Sequence, residues 1–368
     1  MRIKQPLRRV LAWTQPTWDR PDFRPEVRKS FRNVLLCGTP MMGGDRYASS
    51  TEEKIVYYTC KSRSCPRCGR RNTLIWQIEQ STALPEMPYI GVVFTMPDVL
   101  WPTFRQNRHL LNDLDVLGAD VIQNWIKTKC GAKAMVMVVR HTFGRHLNFN
   151  PHLHILVSSQ GWNESKAGWV PLDLPAAALM PMWRYAVITY LRGALDAGAL
   201  NSEMGSVPMR KLLKAQYERW WSVDVDQFAS KEHFLRYAGR YAKRPPVAQY
   251  RFFKLKKTEI GFWTHDHKLN RTVATTHTPE KFVRLLADHV PDRYKHAIRY
   301  FGLLSPRSKA RRSAALFAML GQNKPPRPAR VSWSELSIQT FGVDPLIDSN
   351  GQRMEWTSRV ARSRDKAA

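Results

Sequence analysis

The residues from Asn150 to Val157 form an apolar, strand-like run that carries two histidines one position apart. Because side chains in a strand alternate between faces, His152 and His154 project from the same face with their Cα atoms about 6.5 Å apart. That separation suits two ligands of one metal ion, while the apolar residues between them would anchor the strand in a core on the other face. The same spacing also occurs in half-exposed and hydrogen-bonded core pairs, so a metal site needs support from elsewhere in the chain.

The charge of the chain indicates a polyanionic partner. The 368 residues include 58 Lys and Arg against 30 Asp and Glu, which gives a formal net charge of +28. A hydrophobic fraction of 43% predicts a folded protein rather than a disordered tail. A ribosomal-type structural protein or a membrane-surface binder would also be basic, but no lipid-facing amphipathic helix is evident.

Nothing in the sequence directs the chain to a membrane or out of the cell. No window approaches the roughly 18 uninterrupted apolar residues of a membrane span, and the apolar run Val10–Trp13 is too short for a signal peptide. The five cysteines do not make a disulfide framework in a chain of this length. We therefore expect a cytoplasmic protein with no membrane partner.

Three of the cysteines lie close together and predict a structural zinc site. Cys65 and Cys68 are two thiols separated by two residues, with a proline and a following glycine to shape a turn, and Cys60 lies just before them. Cys37 is the candidate for the fourth position of a tetrahedral site. Cys130 lies far downstream and is predicted to be an ordinary thiol.

Basic residues surround this zinc cluster and would form a rigid face that binds phosphates. They are Lys61, Arg63, Arg67, Arg70 and Arg71. The preceding residues, 1–33, are basic and rich in proline, and we expect an extended arm with little regular structure. Such an arm is either a solvated leader or a segment that follows phosphates and offers aromatic side chains for base stacking.

A second candidate site lies on a predicted helix that ends before Pro245. Tyr237 and Tyr241 are four residues apart and would share one face, with His233 one turn earlier as a conceivable proton acceptor. A buried core face is the alternative, but the density of neighbouring cations favours a phosphate beside the phenols. These cations are Arg236, Arg240, Lys243 and Arg244.

The remaining pattern predicts an α+β protein with an antiparallel pairing at the histidine strand. Strands are expected at 90–97, 134–140 and within 252–273, and helices at 73–83, 103–127, 182–195, 209–221, 280–289 and 294–304. The predicted divisions are a basic arm (1–35), a zinc-binding and DNA-binding module (36–85), a catalytic domain (86–260) with a helical insertion (162–222), its C-terminal part (261–304), and a basic linker with a small helical tail (305–368).

The histidine pair, the tyrosine helix and the basic zinc module together indicate transesterification of a phosphodiester. That reaction needs a Lewis acid on a non-bridging oxygen and a nucleophile in line with the leaving oxygen, and a tyrosine can be the nucleophile. His141, at the end of the neighbouring strand, is our choice for the third metal ligand, with Glu232 and Gln249 as alternatives. No phosphate-binding Gly-x-x-x-x-Gly-Lys loop is present, so no nucleotide cofactor is expected.

These motifs, in this order, resemble the two-tyrosine transposases of the insertion-sequence 91 family, within the HUH superfamily of single-strand nucleases. The resemblance rests on Pro151–His154 with the preceding His141–Gly144, on Tyr237-x-x-x-Tyr241 followed by Arg244–Pro246, on Cys60–Cys68 and on Arg299–Leu304. It implies an HUH-like central antiparallel sheet with packed helices, and a small zinc module before a helical C-terminal region. It also implies Mg²⁺ or Mn²⁺ on His152 and His154, single-stranded DNA as partner, and nicking by the two tyrosines in turn during rolling-circle transposition in a bacterial nucleoid.

The chain departs from that family pattern at three places. Asn150 replaces a further histidine of some relatives, Asp348–Gly351 lies where relatives often carry a second Cys-x-x-Cys, and the zinc cluster has one fewer nearby cysteine. Two other functions fit much of the same evidence. One is a plasmid or phage rolling-circle replication initiator with the same chemistry, and the other is a non-catalytic zinc-containing DNA-binding protein.

Overall fold

The computed structural model describes residues 3–242, 245–266 and 270–363. Within them the α+β class is confirmed. The helices are α1 (Pro6–Trp13), α2 (Gln15–Trp18), α3 (Pro25–Leu36), α4 (Pro66–Ala83), α5 (Trp101–Gln106), α6 (Leu111–Cys130), α7 (Ala176–Asp196), α8 (Ser206–Ala215), α9 (Lys231–Ala242), α10 (Pro279–Asp288), α11 (Pro306–Ala318) and α12 (Trp333–Phe341).

Strands alternate with these helices along the chain. They are β1 (Gly44–Ala48), β2 (Glu53–Tyr57), β3 (Tyr89–Phe94), β4 (Ala132–Lys133), β5 (Met135–Phe143), β6 (Phe149–Ser158), β7 (Gln160–Asn163), β8 (Gly168–Pro171), β9 (Val223–Phe228), β10 (Phe252–Leu255), β11 (Ile260–Asp266), β12 (Arg271–His277), β13 (Ile298–Gly302) and β14 (Glu355–Val360).

A five-stranded antiparallel sheet forms the centre, in the order β13-β5-β6-β3-β9. Its middle strands are rich in valine, isoleucine and methionine and are buried on both faces, which is typical of a sheet covered by helices on each side. Leu153, Ile155 and Val157 point into the larger core with α5, α6 and α7, as predicted. The opposite face packs against α4 and α9, so the histidines of β6 face the tyrosine helix.

The extended N-terminal arm predicted for residues 1–33 is wrong. This segment forms α1, α2 and α3, and Val10, Leu11, Trp18 and Phe31 are fully buried. Three of the four prolines in this segment, Pro6, Pro16 and Pro25, instead lie at the first or second position of a helix, where the missing N–H costs nothing. The apolar residues at helical spacing pack against α10 and a small sheet formed by β10, β11 and β12.

Near the C-terminus one prediction is wrong and another holds only in part. Residues 298–302 of the expected helix 294–304 are strand β13, because this segment supplies the edge of the central sheet beside β5, with Tyr300 opposite Met137. The expected helical tail contains α12 but ends in β14, which pairs with β1 so that Val360 lies opposite Gly44. Both strands depend on partners far away in sequence, which a local pattern does not show.

The region 162–222 contributes to the core of the central domain. Trp183 of α7 is fully buried, and its indole N–H donates to the Thr95 carbonyl at 2.7 Å. The helix therefore forms a layer on the central sheet, together with α6. None of the helices in the described part of the chain is long and apolar enough to cross a membrane.

Candidate active site

Three histidines meet on the face of the central sheet that is turned toward α9. Strands β5 and β6 pair His141 directly opposite His152, and His154 lies two positions along β6 on the same face. The ring centroids are 5.0–5.3 Å apart, and one ligand nitrogen from each ring lies within 4.8 Å of the others. The structure thus brings together the predicted pair and the predicted third ligand.

Hydrogen bonds fix the orientation of each ring. Nδ1 of His152 lies 2.8 Å from the Asn150 carbonyl, and Nε2 of His141 lies 2.6 Å from the Tyr241 carbonyl. A carbonyl only accepts, so these nitrogens carry the protons and the second nitrogen of each ring keeps a free lone pair. Nδ1 of His154 is 3.2 Å from the Tyr237 hydroxyl, and its Nε2 is buried with no hydrogen-bond partner among the described residues.

Burial keeps the three rings neutral. It is the main cause that lowers the pKa of His141, His152 and His154, and for His141 the nearby His154, His152 and Arg63 lower the pKa further. The three neutral imidazoles lie on one face of the sheet, and Nε2 of His154 is buried without a hydrogen-bond partner among the described residues. They are therefore a chemically suitable set of ligands for a divalent metal ion.

The two tyrosines lie over this cluster. Tyr237 and Tyr241 are half-buried on α9, one turn apart, with ring centroids separated by 4.9 Å. Burial is the main cause that raises the pKa of Tyr237 above its usual value, and the neighbouring Tyr241 and Asp226 raise it further, whereas Arg240 opposes them. The phenol of Tyr237 is therefore protonated in the resting protein, and deprotonation needs a positive charge brought close to it.

The other predicted residues around α9 take different positions. The Arg240 guanidinium lies over the ring of Tyr237 at 5.5 Å, whereas Arg236 is exposed and pairs with Glu232 at 2.9 Å. Glu232 is itself exposed and does not belong to the histidine cluster. His233 is exposed, and the nitrogen beside the Tyr237 hydroxyl belongs to His154 instead. Gln249 begins a short 3₁₀ turn before β10. Lys243 and Arg244 lie outside the described residues.

The four predicted cysteines form one cluster. Three Sγ–Sγ distances, Cys37–Cys68, Cys37–Cys65 and Cys60–Cys68, are 3.6, 3.7 and 3.7 Å. A zinc tetrahedron with Zn–S bonds of about 2.3 Å has edges of about 3.8 Å, so the cluster fits structural Zn²⁺. The turn expected after Cys65 is a helix start, since Cys65 is the N-cap of α4 and Cys68 lies in its first turn.

The basic residues near the zinc cluster do not all face solvent. Lys61, Arg67 and Arg70 are exposed, as a phosphate-binding face requires. Arg71 donates to the Thr59 hydroxyl at 2.8 Å, and Arg63 donates to the Tyr241 carbonyl at 3.2 Å. Arg63 therefore connects the zinc cluster to the end of the tyrosine helix.

That connection, like the Asn150 carbonyl beside His152, was not predicted from the sequence. Arg63 and Tyr241 are 178 positions apart, so no local spacing relates them. The only sequence signal for Arg63 was its place among the basic residues of the zinc module. Asn150 also has a buried side-chain oxygen without a hydrogen-bond partner among the described residues.

Comparisons with known proteins give a consistent result. Residues 135–312 match the family model described as "Putative transposase", and residues 11–96 match the "Transposase zinc-binding domain" of the insertion-sequence 91 type. The chain belongs to the insertion-sequence 91 family of transposases. In this transposase the first matched region contains the three histidines and both tyrosines, and the second contains all four zinc-site cysteines.

Two relatives of the transposase align over most of its length. The "Transposase for insertion sequence element IS801" of Pseudomonas savastanoi pv. phaseolicola is 28% identical over 340 residues, covering 89% of this chain and 82% of the relative. The "Putative transposase y4qJ" of Sinorhizobium fredii (strain NBRC 101917 / NGR234) is 26% identical over 342 residues, covering 86% of each. No solved structure matches the chain.

Proposed function

We propose that this transposase nicks and rejoins single-stranded DNA through a covalent 5′-phosphotyrosine intermediate during rolling-circle transposition. The observation that carries the proposal is the 3.2 Å contact between the Tyr237 hydroxyl and Nδ1 of His154, within a cluster of three neutral histidines. This contact supports the proposal because phosphodiester cleavage by a tyrosine needs the phenol close to the metal-binding residues.

The proposed reaction exchanges one phosphoester for another. The tyrosine oxygen bonds to phosphorus, the bond from phosphorus to the 3′ oxygen breaks, and the tyrosine proton passes to solvent or to the leaving 3′ oxygen. The phosphotyrosine keeps the energy of the broken bond, so a 3′ hydroxyl can attack it and rejoin the strand without a nucleotide. The second tyrosine, one helical turn away, can hold a second DNA end.

His141, His152 and His154 are the residues that would hold Mg²⁺ or Mn²⁺. The ion would supply a Lewis acid that stabilises charge on the phosphate and on the phenolate. Of the two ions we expect Mn²⁺ to bind more tightly, because Mg²⁺ prefers oxygen ligands and water to imidazole. The protein itself orients the rings of His152 and His141 through the Asn150 and Tyr241 carbonyls, and it buries His141 and His154 away from water.

Charge supports DNA as the substrate. The net charge of +28 favours a polyanion and association with nucleoid DNA, and exposed cations lie on both the zinc module and α9, as Lys61, Arg67, Arg70 and Arg236 show. A rolling-circle replication initiator would use the same chemistry. The two relatives and the matched zinc-binding domain support transposition in preference to replication initiation.

A nicking assay tests the proposal. A labelled single-stranded oligonucleotide from an element end is incubated with Mn²⁺, with Mg²⁺ and with neither, and the products are analysed by gel and mass spectrometry. We expect metal-dependent cleavage with DNA attached to Tyr237 or Tyr241. If the Tyr237→Phe, Tyr241→Phe double variant cuts as fast as the wild type, the nucleophile assignment is wrong. Binding without cleavage under all conditions would support the non-catalytic alternative.

A further inference from the structure

An exposed aromatic pair lies on the outer face of the small sheet formed by β10, β11 and β12. The rings of Phe253 and Trp263 lie next to each other in a tilted arrangement, with centroids 4.5 Å apart and planes inclined by 35°. They are 37% and 44% exposed, although large aromatic side chains are usually buried in a core when one is available. The matching inner face of this sheet does form a core, through Phe252, Ile260 and Phe262.

The surroundings of the pair keep this face flat. A Cβ atom on Gly261 would approach the Phe253 ring to 2.7 Å, so only glycine lets the ring lie across the strand. Ala274 lies directly opposite Trp263 on β12, and Thr276 lies opposite Gly261. Small side chains around two adjacent rings leave the ring faces accessible to a planar group. We call Phe253 and Trp263 the aromatic platform.

The charge around the platform is positive. Residues 245–266 and 270–277 contain five Lys and Arg against two acidic residues, Glu259 and Asp266. Glu259 pairs with Lys254, while Lys256, Lys257 and Arg271 have exposed side chains. An anionic ligand with planar groups, such as a nucleic acid, matches this combination of cations and accessible rings.

Hydrogen bonds connect the strands that carry the platform to the turn between the two histidine strands. Arg251 donates to the Trp263 carbonyl at 2.6 Å and to the Arg145 carbonyl at 2.9 Å, and Arg145 in turn donates to the His265 carbonyl at 2.9 Å. Arg145 lies in the turn between β5 and β6, the two strands that carry the histidines. The sheet that carries the platform is therefore fixed to the turn that joins the two histidine strands.

We propose that the aromatic platform stacks bases of the single-stranded DNA that passes through the tyrosine site. The inference rests on the proposed function and adds the position of a strand-binding site. Stacking requires bases whose faces are not covered by neighbours in a duplex, so the platform selects unpaired DNA. Its contribution is independent of base sequence, because every base presents a planar face.

DNA binding by the Tyr237→Phe, Tyr241→Phe double variant tests the proposal. This parent protein lacks both candidate nucleophiles, so the measurement does not depend on cleavage by the tyrosines. Fluorescence anisotropy with a labelled oligothymidylate gives the affinity of this parent and of parent variants carrying Trp263→Ala, Phe253→Ala or Trp263→Phe. We expect each alanine variant to bind about tenfold more weakly, because removal of an aromatic side chain that stacks on a base typically lowers the affinity by about this factor. Trp263→Phe should retain most of the affinity. Trp220→Ala is the matched control, because Trp220 is 71% exposed and lies outside the platform.

Two further measurements separate stacking from charge and from misfolding. The parent should bind an oligonucleotide with abasic positions more weakly than an intact oligonucleotide. The Trp263→Ala variant should bind the two oligonucleotides equally well. The slope of affinity against salt should be the same for the parent and the variant, because no phosphate contact is lost. The proposal is overturned if the alanine variants bind intact single strands as well as the parent, or if abasic positions weaken both proteins equally.

Discussion

The ring of Tyr241 stacks on the ring of His154, with centroids 3.8 Å apart and planes inclined by 24°. Tyr237 meets the same imidazole differently, through its hydroxyl group at 3.2 Å from Nδ1. One tyrosine therefore presents its face to the histidine cluster and the other presents its oxygen. The two phenols are therefore not equivalent in the absence of DNA, and this difference leads us to predict an order of action.

We expect the first adduct to form on Tyr237. In a single-turnover reaction, peptide mapping of the wild type should find DNA mainly on Tyr237. Tyr237→Phe should slow the first cleavage by several orders of magnitude, because the hydroxyl nearest the cluster is lost, while Tyr241→Phe should retain it. Equal adduct yields on the two tyrosines, or the reverse order, would contradict the assignment.

His141→Ala should weaken Mn²⁺ binding by more than about tenfold, because even second-shell partners of metal ligands cost about 10–100-fold in affinity when removed. Titration calorimetry on the zinc-loaded protein measures the loss. His109→Ala is the control, since His109 is exposed and lies outside the cluster. An unchanged affinity for His141→Ala would exclude it as the third ligand.

Cys68→Ser should abolish zinc binding and lower the thermal midpoint by about 5 °C or more, because the cysteines are part of the core that holds α1 and α3. Zinc content by elemental analysis and a thermal scan measure both effects. Cys130→Ser should keep its zinc, because Cys130 lies outside the four-cysteine group. Zinc retained by Cys68→Ser at the wild-type level would remove this cysteine from the site.

Arg63→Gln should slow nicking roughly tenfold or more, because a hydrogen bond from a charged group contributes about 1.5–3 kcal/mol and this one fixes the end of the tyrosine helix. Its zinc content should stay that of the wild type. Arg184→Gln is a matched control, since Arg184 also donates to a backbone carbonyl, that of Arg219, away from the site. Equal nicking rates for the two variants would show that the Arg63 contact does not matter for cleavage.

His289 should make the protein less stable as the pH falls. Burial lowers its pKa to about 4, despite the Leu147 carbonyl that accepts from its ring, whereas an unfolded histidine titrates near 6.5. Between these values the unfolded chain takes up a proton that the folded chain does not. The free energy of unfolding should therefore drop by about 1 kcal/mol from this group between pH 7 and pH 5.5.

Urea denaturation at both pH values, for the wild type and for His289→Gln, isolates the effect of His289. The variant should lose about 1 kcal/mol less on acidification, since it lacks the group that titrates. Parallel losses in the two proteins would mean that His289 is not held neutral by burial.

The sites were predictable where their residues are close in sequence. Two positions along a strand place His152 and His154 on one face, and four positions along a helix place Tyr237 above Tyr241, whatever the rest of the fold. The contacts that join these pairs were not predictable. Arg63 reaches Tyr241 only because the zinc module packs against α9, and β13 becomes a strand only because β5 offers it an edge.

The last strand of the chain completes a sheet that begins near its start. β1 pairs with β2 across a short turn, and its other edge pairs with β14, which the ribosome makes roughly 300 residues later. Until then the edge of β1 is open and can pair with another growing chain. This sheet can therefore be completed only after residue 360 has been synthesised. A chain truncated before β14 would keep an unpaired β1 edge that can pair with other chains.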